Sequence, residues 1–126
     1  MKIIDTSVLI DFLRGKIDLP ENSVLTVISY YELLWKALEK NAKEELKIIK
    51  RLFSFFPVLG IDVRVVEKTA EIKVKLKKKG KMINDFDLLI YGIGLVNGVE
   101  EIWTKDKDFK VIEREFPEIK IKLVRN

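Results

Sequence analysis

The chain contains no cysteine and no histidine among its 126 residues. Without cysteine it has no disulfide, no thiol nucleophile and no thiolate zinc site. Without histidine it has no imidazole general base, no Ser-His-Asp triad and no imidazole metal ligand. Any catalysis must therefore use carboxylates, hydroxyls, lysine, arginine or tyrosine. A set of oxygen ligands alone favours Mg²⁺, Mn²⁺ or Ca²⁺ over zinc or copper.

Long apolar runs are absent as well. No window approaches the ~18 uninterrupted apolar residues of a membrane span. No small-residue cleavage site follows the apolar stretch after Lys2, so we expect no signal peptide and a cytoplasmic protein. Apolar residues make up 48% of the chain, which is enough for one domain over residues 1–126 with a core of its own.

The charge balance leaves two interpretations open. The 24 lysines and arginines exceed the 20 acidic residues, which gives a net charge of +4. A basic balance is compatible with a nucleic acid partner. Charged residues form 35% of the chain, and this richness in lysine and glutamate is also typical of heat-adapted proteins with ion-pair networks.

Short apolar segments alternate with patterns of helical spacing. Such an order predicts an α/β fold, a three-layer sandwich in which helices flank a mainly parallel central sheet. Ligands of such folds bind at the carboxyl ends of the strands. Asp5 follows the first strand and Asp106 the fourth, so we expect both at one edge. Strands are predicted at 2–4, 23–27, 58–61, 101–104 and 119–124, and helices at 8–14, 29–40, 42–55, 62–79, 85–96 and 109–114.

Carboxylates recur at these strand ends and helix starts. Several carboxylates at one edge would repel one another strongly in a low dielectric. A divalent cation removes that repulsion, and it also answers why Asp5 ends a run that leads into the core, since a buried ionised aspartate needs a partner. The residues concerned are Asp5, Glu32, Asp85, Asp87, Asp106 and Asp108.

Several of these residues also have purely structural explanations. Asp5, Thr6 or Ser7 can cap the helix that follows the first strand. Ser29 and Glu32 match a capping box, in which a glutamate reaches back to the N–H of the capping residue. Capping and metal binding by Glu32 do not exclude each other.

Four segments, taken in order, resemble the PIN-domain ribonucleases and, within them, the VapC-type toxins of toxin–antitoxin pairs. They are "IIDTSVLIDFL", "SYYELLWKAL", "NDFDLLIYGIGLVNG" and "IWTKDKDFKVI". These resemble the family's Asp-Thr-Ser opening, Glu-Leu helix start, Asp-x-Leu-Ile helix and Thr-x-Asp-x-Asp-Phe turn. The resemblance spans nearly the whole chain. It implies a Mg²⁺- or Mn²⁺-dependent endoribonuclease that is inhibited by a small antitoxin protein.

The resemblance also assigns roles to residues by position. Residues two apart on a helix do not share a face, so we choose Asp87, in the Asp-x-Leu-Ile position, over Asp85 as a ligand. Tyr91 departs from the small residue that the family usually has there. The implied metal-binding and catalytic residues are Asp5, Glu32, Asp87 and Asp106, and the polar neighbours expected to orient them are Thr6, Ser7, Asp85, Thr104 and Asp108.

Basic residues near these motifs are candidates for substrate binding. Arg14, Lys105 and Lys107 lie close to the proposed metal edge in sequence and are predicted to contact RNA phosphates. The lysine-rich segment 73–81 is either a solvated helix face with favourable charge at its C-terminal end or a further phosphate contact.

Two broader questions stay open at this point. The same motifs are compatible with an RNA-processing nuclease that has no antitoxin, or with a non-catalytic PIN module that binds RNA or protein. The aromatic content near the helical stripes exceeds what one small core clearly needs, so a homodimer or a higher homo-oligomer is expected. The residues behind this expectation are Trp35, Phe53, Phe55 and Phe56.

Overall fold

A computed structural model describes residues 1–125, in which strands and helices alternate. The strands are β1 (Lys2–Ile4), β2 (Ser23–Thr26), β3 (Val58–Leu59), β4 (Glu101–Thr104) and β5 (Lys120–Leu123). The helices are α1 (Thr6–Leu13), α2 (Val27–Glu39), α3 (Lys43–Phe55), α4 (Val63–Lys78), α5 (Asp85–Val96) and α6 (Asp108–Glu115). Within residues 1–125, no helix is long and apolar enough to cross a membrane.

The strands form one five-stranded sheet in the order β3-β2-β1-β4-β5. Every pair is parallel, and Ile4 of β1 is in register with Trp103 of β4. The short central strand β1 therefore ends beside β4, and the residues that follow the two strands emerge together. The predicted α/β sandwich with a parallel sheet is confirmed, and β5 is an edge strand as its alternating sequence indicates.

Each face of the sheet carries its own apolar core, because successive strand residues point to opposite faces. Ile3 packs on one side with α4, α5 and α6, whereas Ile4 packs on the other with α1, α2 and α3. Both isoleucines are fully buried. Burial of such side chains is worth about 1.5–3 kcal/mol each, so β1 is held from both faces despite its length of three residues.

Two helix starts differ from the sequence prediction. Helix α1 begins at Thr6, directly after β1, rather than near Val8. Helix α2 begins at Val27, and Thr26 is its N-cap, with the Thr26 hydroxyl accepting a 3.3 Å hydrogen bond from the Ser29 N–H. The predicted capping box at Ser29 and Glu32 is therefore wrong. Because β2 runs into α2 without a loop, the last strand residue becomes the cap and Glu32 lies in the second turn.

Close packing of α4 on α5 explains two residues of the third motif. A Cβ on Gly92 would collide with the Thr69 hydroxyl, so a larger residue at this crossing would require Thr69 to move. The side chain of Tyr91 is fully buried, and its hydroxyl donates to the backbone carbonyl of Phe116. Tyr91 therefore ties α5 to the segment before β5.

Candidate active site

The carboxyl ends of β1 and β4 open into a depression of about 480 Å³. Asp5 and Asp106 reach it from the segments that follow these strands, Glu32 from α2 and Asp87 from α5. Four carboxylates that are far apart in sequence thus border one space. The full lining consists of Asp5, Thr6, Ser7, Ile10, Glu32, Lys36, Asn84, Phe86, Asp87 and Asp106.

Asp5 is the most deeply placed of these carboxylates, with only 6% of its surface exposed. It occupies the N-cap position of α1, but its side chain makes no capping hydrogen bond. Its Oδ2 instead accepts hydrogen bonds from the hydroxyls of Thr104, at 2.8 Å, and Ser7, at 3.1 Å. Burial raises the pKa of Asp5, the two hydroxyls oppose that rise, and the charge of Glu32 adds to it.

Glu32 is held by a hydroxyl of α1. The Thr6 hydroxyl lies 2.7 Å from Oε1 of Glu32 and 2.9 Å from the Ser29 hydroxyl. Since an ionised carboxylate only accepts hydrogen bonds, Thr6 donates to Glu32. This contact joins α1 to α2 at the rim of the depression and fixes the direction of the Glu32 carboxylate.

Asp87 and Asn84 bind each other at the start of α5. The Asn84 side-chain N–H₂ donates to Asp87 Oδ2 at 2.7 Å, and the Asp87 backbone N–H donates to Asn84 Oδ1 at 2.9 Å. Asn84 is the N-cap of the helix. Burial, above all, and then the charge of Asp5 raise the pKa of Asp87 to about 7, while the Asn84 hydrogen bond opposes the rise.

The turn after β4 brings two further carboxylates to Asp87. The Asp106 N–H donates to the Thr104 hydroxyl at 3.0 Å, and the Asp108 N–H donates to Asp106 Oδ1 at 2.9 Å. One carboxylate oxygen each of Asp87, Asp106 and Asp108 lies within 4.8 Å of the others. Burial and the charge of Asp106 raise the pKa of Asp108. Asp108, predicted only as a neighbour, thus joins Asp87 and Asp106 in one carboxylate cluster.

This donor set fits a hard divalent cation. All of its ligand atoms are carboxylate oxygens, which Mg²⁺ and Mn²⁺ prefer. Burial first, and neighbouring carboxylates second, raise the pKa values of Asp5 and Asp87, so their ionised forms are unfavourable here without a counter-charge. A bound cation would supply that charge.

Comparison with known proteins identifies the family. The PIN domain matches residues 2–115. The chain belongs to the PIN domain family. The resemblance to this family that the four motifs indicate is therefore confirmed.

The relatives of this PIN domain include a curated ribonuclease and several solved complexes. The chain is 30% identical over 106 residues to Ribonuclease VapC1 of Methanocaldococcus jannaschii, which covers 83% of this chain and 75% of the relative. DNA-bound VapBC from Salmonella typhimurium superposes with a TM-score of 0.81 at 22% identity and 96% coverage of both chains. VapBC2 from Rickettsia felis, bound to a promoter DNA fragment, superposes with a TM-score of 0.80 at 18% identity and 98% coverage of both chains.

Asp85 lies outside the acidic depression of this PIN domain. Its Oδ1 accepts a 2.7 Å salt bridge from Lys73 of α4, and both side chains are at least half exposed. Exposed pairs of this kind contribute about 0–1 kcal/mol. The structure therefore brings Asp87 to the other carboxylates and does not bring Asp85, which was expected to orient them.

The three basic residues predicted to bind RNA are placed differently from one another. Lys105 forms a 2.9 Å salt bridge with Asp11, whose side chain is only 6% exposed, and this contact ties the turn after β4 to α1. Arg14 ends α1 and lines a neighbouring groove. Lys107 is exposed next to Asp106. None of the three borders the depression itself within residues 1–125.

Sequence reasoning missed two polar residues of the site. Lys36 lines the depression, and its position four residues after Glu32 puts both on one face of α2, which is a signal the sequence contained. Asn84 is part of the third motif, but the sequence analysis gave it no role. An asparagine before a helix predicts a cap, whereas its second bond, to the Asp87 carboxylate, depends on the folded side-chain geometry.

Proposed function

We propose that the protein is a divalent-metal-dependent endoribonuclease, formed by a single domain over residues 1–126 that acts in the cytoplasm. The observation that carries this proposal is the convergence of Asp5, Glu32, Asp87 and Asp106 on one depression. The fold does not require these four carboxylates to lie together, and the pKa values of Asp5 and Asp87 are raised there. The 30% identical relative named Ribonuclease VapC1 supports the choice of RNA as the substrate.

The four carboxylates would hold Mg²⁺ or Mn²⁺, with Asp108 close enough to join them. When bound, such an ion activates water as a nucleophile and neutralises charge on the phosphodiester. The hydroxyls of Thr104 and Ser7 keep the Asp5 carboxylate in place, and Thr6 does the same for Glu32. Hydrogen bonds of this type orient metal ligands and tune their basicity.

The reaction is hydrolysis of a phosphodiester. The oxygen of water forms a bond to phosphorus, one P–O ester bond breaks, and a proton passes to the oxygen that leaves. Lys36 is the cation that lines the depression, so its ammonium group can contact a substrate phosphate there. Arg14 and Lys107 are exposed and lie farther out, where they can contact phosphates on either side of the one that is cleaved.

We further propose that a small antitoxin protein inhibits the enzyme. The solved structures that this fold matches include complexes named VapBC, which supports a partner of this class. A neighbouring gene for a small protein that suppresses the RNA cleavage on co-expression would support this part. An RNA-processing nuclease without an antitoxin predicts that no such partner exists.

We also propose a homodimer or a higher homo-oligomer. Phe53 is buried and stacks on Tyr30 at 4.5 Å, so it belongs to the core and no longer supports the expectation. Phe55 is 81% exposed and Trp35 is 41% exposed, and these two rings still favour a contact with a second copy. Sedimentation equilibrium of the purified protein would measure the oligomer size.

The deciding experiment is RNA cleavage with and without metal. Exhaustive chelation should abolish cleavage by the wild type, and Mg²⁺ or Mn²⁺ should restore it. Asp5→Asn should be inactive under both conditions. Metal should also raise the melting temperature of the wild type, since a ligand that binds only the native state stabilises it. RNA binding without cleavage at any metal concentration would favour the non-catalytic module instead.

A further inference from the structure

Two aromatic rings meet in the open at the rim of the acidic depression. Tyr31 of α2 and Phe86 of α5 are in edge-to-face contact, with their centroids 5.7 Å apart and their planes at 77°. Tyr31 is 55% exposed and Phe86 is 40% exposed. Phe86 also lines the depression itself. An aromatic surface is therefore presented to solvent beside the proposed catalytic carboxylates.

The core does not account for these rings. Among the described residues, neither Tyr31 nor Phe86 belongs to the two apolar clusters that flank the sheet. Each ring instead directly precedes a proposed metal ligand, Glu32 in one case and Asp87 in the other. Consecutive residues of a helix point about 100° apart, so each ring lies to the side of the carboxylate and leaves access to it.

We propose that Tyr31 and Phe86 form a stacking platform for an unpaired nucleobase beside the cleaved phosphate. This inference rests on the proposed nuclease function. Exposed aromatic faces stack unpaired bases, whereas the bases of a duplex are already stacked on one another. Proteins that bind single strands combine such rings with cations that follow the backbone, and Lys36 lines the same depression.

The platform also addresses an electrostatic problem. Among the depression's lining residues Lys36 is the one cation, so apart from the proposed metal ion only one positive group there attracts a substrate phosphate. Base stacking supplies binding energy that does not depend on charge. It acts in addition to the attraction between the RNA backbone and the protein's positive charges, and it fixes which nucleotide lies next to the carboxylates.

The first test measures kcat/KM for a short single-stranded RNA with saturating Mn²⁺. Phe86→Ala and Tyr31→Ala should each lower it by about 5- to 150-fold, which is the ~1–3 kcal/mol of base–aromatic stacking converted at ~1.4 kcal/mol per tenfold, and Phe86→Tyr should recover most of the loss. Leu38→Ala is the matched control, because Leu38 is also an exposed apolar side chain of α2 but does not line the depression. Melting curves with and without Mn²⁺ verify that each variant folds and binds metal.

The second test places single abasic nucleotides along the RNA. With the abasic nucleotide at the stacked position, the wild type should lose as much kcat/KM as Phe86→Ala loses with intact RNA. Combining the abasic RNA with Phe86→Ala should then cause little further loss. With the abasic nucleotide at other positions, the loss from the RNA and the loss from Phe86→Ala should multiply. Losses that multiply at every position, or a Phe86→Ala variant that cleaves within about twofold of the wild type, would overturn the platform and favour a protein contact at these rings.

A binding measurement separates this inference from the proposed activity. When RNA carries 2-aminopurine at the stacked position, binding to the wild type should quench the fluorescence of this base, and binding to Phe86→Ala should not. If the wild type quenches but cleaves no RNA, the nuclease proposal fails while the platform stands. If the wild type cleaves without quenching at any labelled position, the platform fails while the nuclease stands. No binding and no cleavage overturns both.

Discussion

The hydroxyl of Thr104 donates a 2.8 Å hydrogen bond to Oδ2 of Asp5, across 99 positions of sequence. The contact joins the ends of the neighbouring parallel strands β1 and β4. The same hydroxyl accepts the Asp106 N–H at 3.0 Å. One side chain therefore orients two of the proposed metal ligands, and it lowers the pKa of Asp5 against the effect of burial.

Replacing Thr104 by valine should weaken metal binding without removing a ligand. Thr104→Val keeps the side-chain shape, but Asp5 loses a donor and the Asp106 N–H loses its acceptor. Changes of this kind cost about 10- to 100-fold in metal affinity. Titration calorimetry with Mn²⁺ measures the effect, and Thr104→Ser, which keeps the hydroxyl, is the control. Equal affinity in the valine variant and the wild type would contradict the role given to this hydroxyl.

Asp87→Asn and Asp85→Asn should differ clearly in metal binding and RNA cleavage, although the two positions are only two residues apart. Asp87→Asn removes a carboxylate from the depression and should abolish metal binding and most RNA cleavage. Asp85→Asn removes only the exposed pair with Lys73, so activity should stay near that of the wild type and stability should change by about 1 kcal/mol or less. Loss of metal binding in Asp85→Asn with retention in Asp87→Asn would reverse the assignment.

The metal-free protein should lose stability as the pH rises from about 4 to 7. Burial and neighbouring charge raise the pKa of Asp87 from 3.8 to about 7, so over this interval the native state binds more protons than the unfolded state. The free energy of unfolding then falls with pH. Each pKa unit corresponds to ~1.4 kcal/mol, so the titration of Asp87 contributes at most ~4 kcal/mol to this loss of stability.

Urea unfolding in the presence of a chelator, at pH values from 4.5 to 8, measures this slope. The slope should be smaller in Asp87→Asn, which has no carboxyl group to titrate at that position. Mg²⁺ added at pH 8 should recover stability in the wild type. An identical pH dependence in the wild type and the variant would show that another group causes the slope.

Much of the site's layout follows from sequence through the parallel sheet. Asp5 and Asp106 each follow an apolar strand, and parallel strands bring their carboxyl ends to one edge, so their proximity is predictable without a structure. The preference for Asp87 over Asp85 needed the family resemblance, because the apolar pattern of α5 does not show which of the two points inward.

Two contacts of the structure were not predicted from the sequence. The cap of α2 is Thr26 rather than Ser29, because β2 leads into the helix without a loop. Lys105 was predicted to contact RNA phosphates, but its ammonium group lies 2.9 Å from the carboxylate of Asp11, which is buried on α1. The first difference depends on where β2 ends. The second contact joins residues that are 94 positions apart in sequence, so no local sequence pattern predicts it.

The Asp11–Lys105 pair should stabilise the fold at neutral pH and not in acid. The Lys105 hydrogen bond lowers the pKa of Asp11, so the contribution is complete above the unfolded pKa of about 3.9 and is lost as the pH falls through the lower native value. Lys105→Met should therefore melt earlier than the wild type at pH 7, and the difference should shrink towards pH 2. A constant difference at all pH values would mean that Lys105 acts mainly through packing.

Glu32 can be tested for metal binding separately from helix stability, because the structure gives the capping role to Thr26. Glu32→Gln keeps an oxygen that accepts from Thr6, which lies 2.7 Å from Glu32 Oε1, while it removes one negative charge beside Asp5. The metal-free variant should melt at or above the wild-type temperature, since the charge of Glu32 contributes to the raised pKa of Asp5.

The same variant should bind Mn²⁺ poorly and cleave little RNA. Thr26→Ala should behave in the opposite way, with a loss of about 1 kcal/mol in stability from the missing cap and nearly normal metal binding. Glu39→Gln, a change of the same charge at the exposed end of α2, should affect neither. If Glu32→Gln cleaves RNA at the wild-type rate, Glu32 is a structural partner of Thr6, and the metal is held by the carboxylates of the other elements alone.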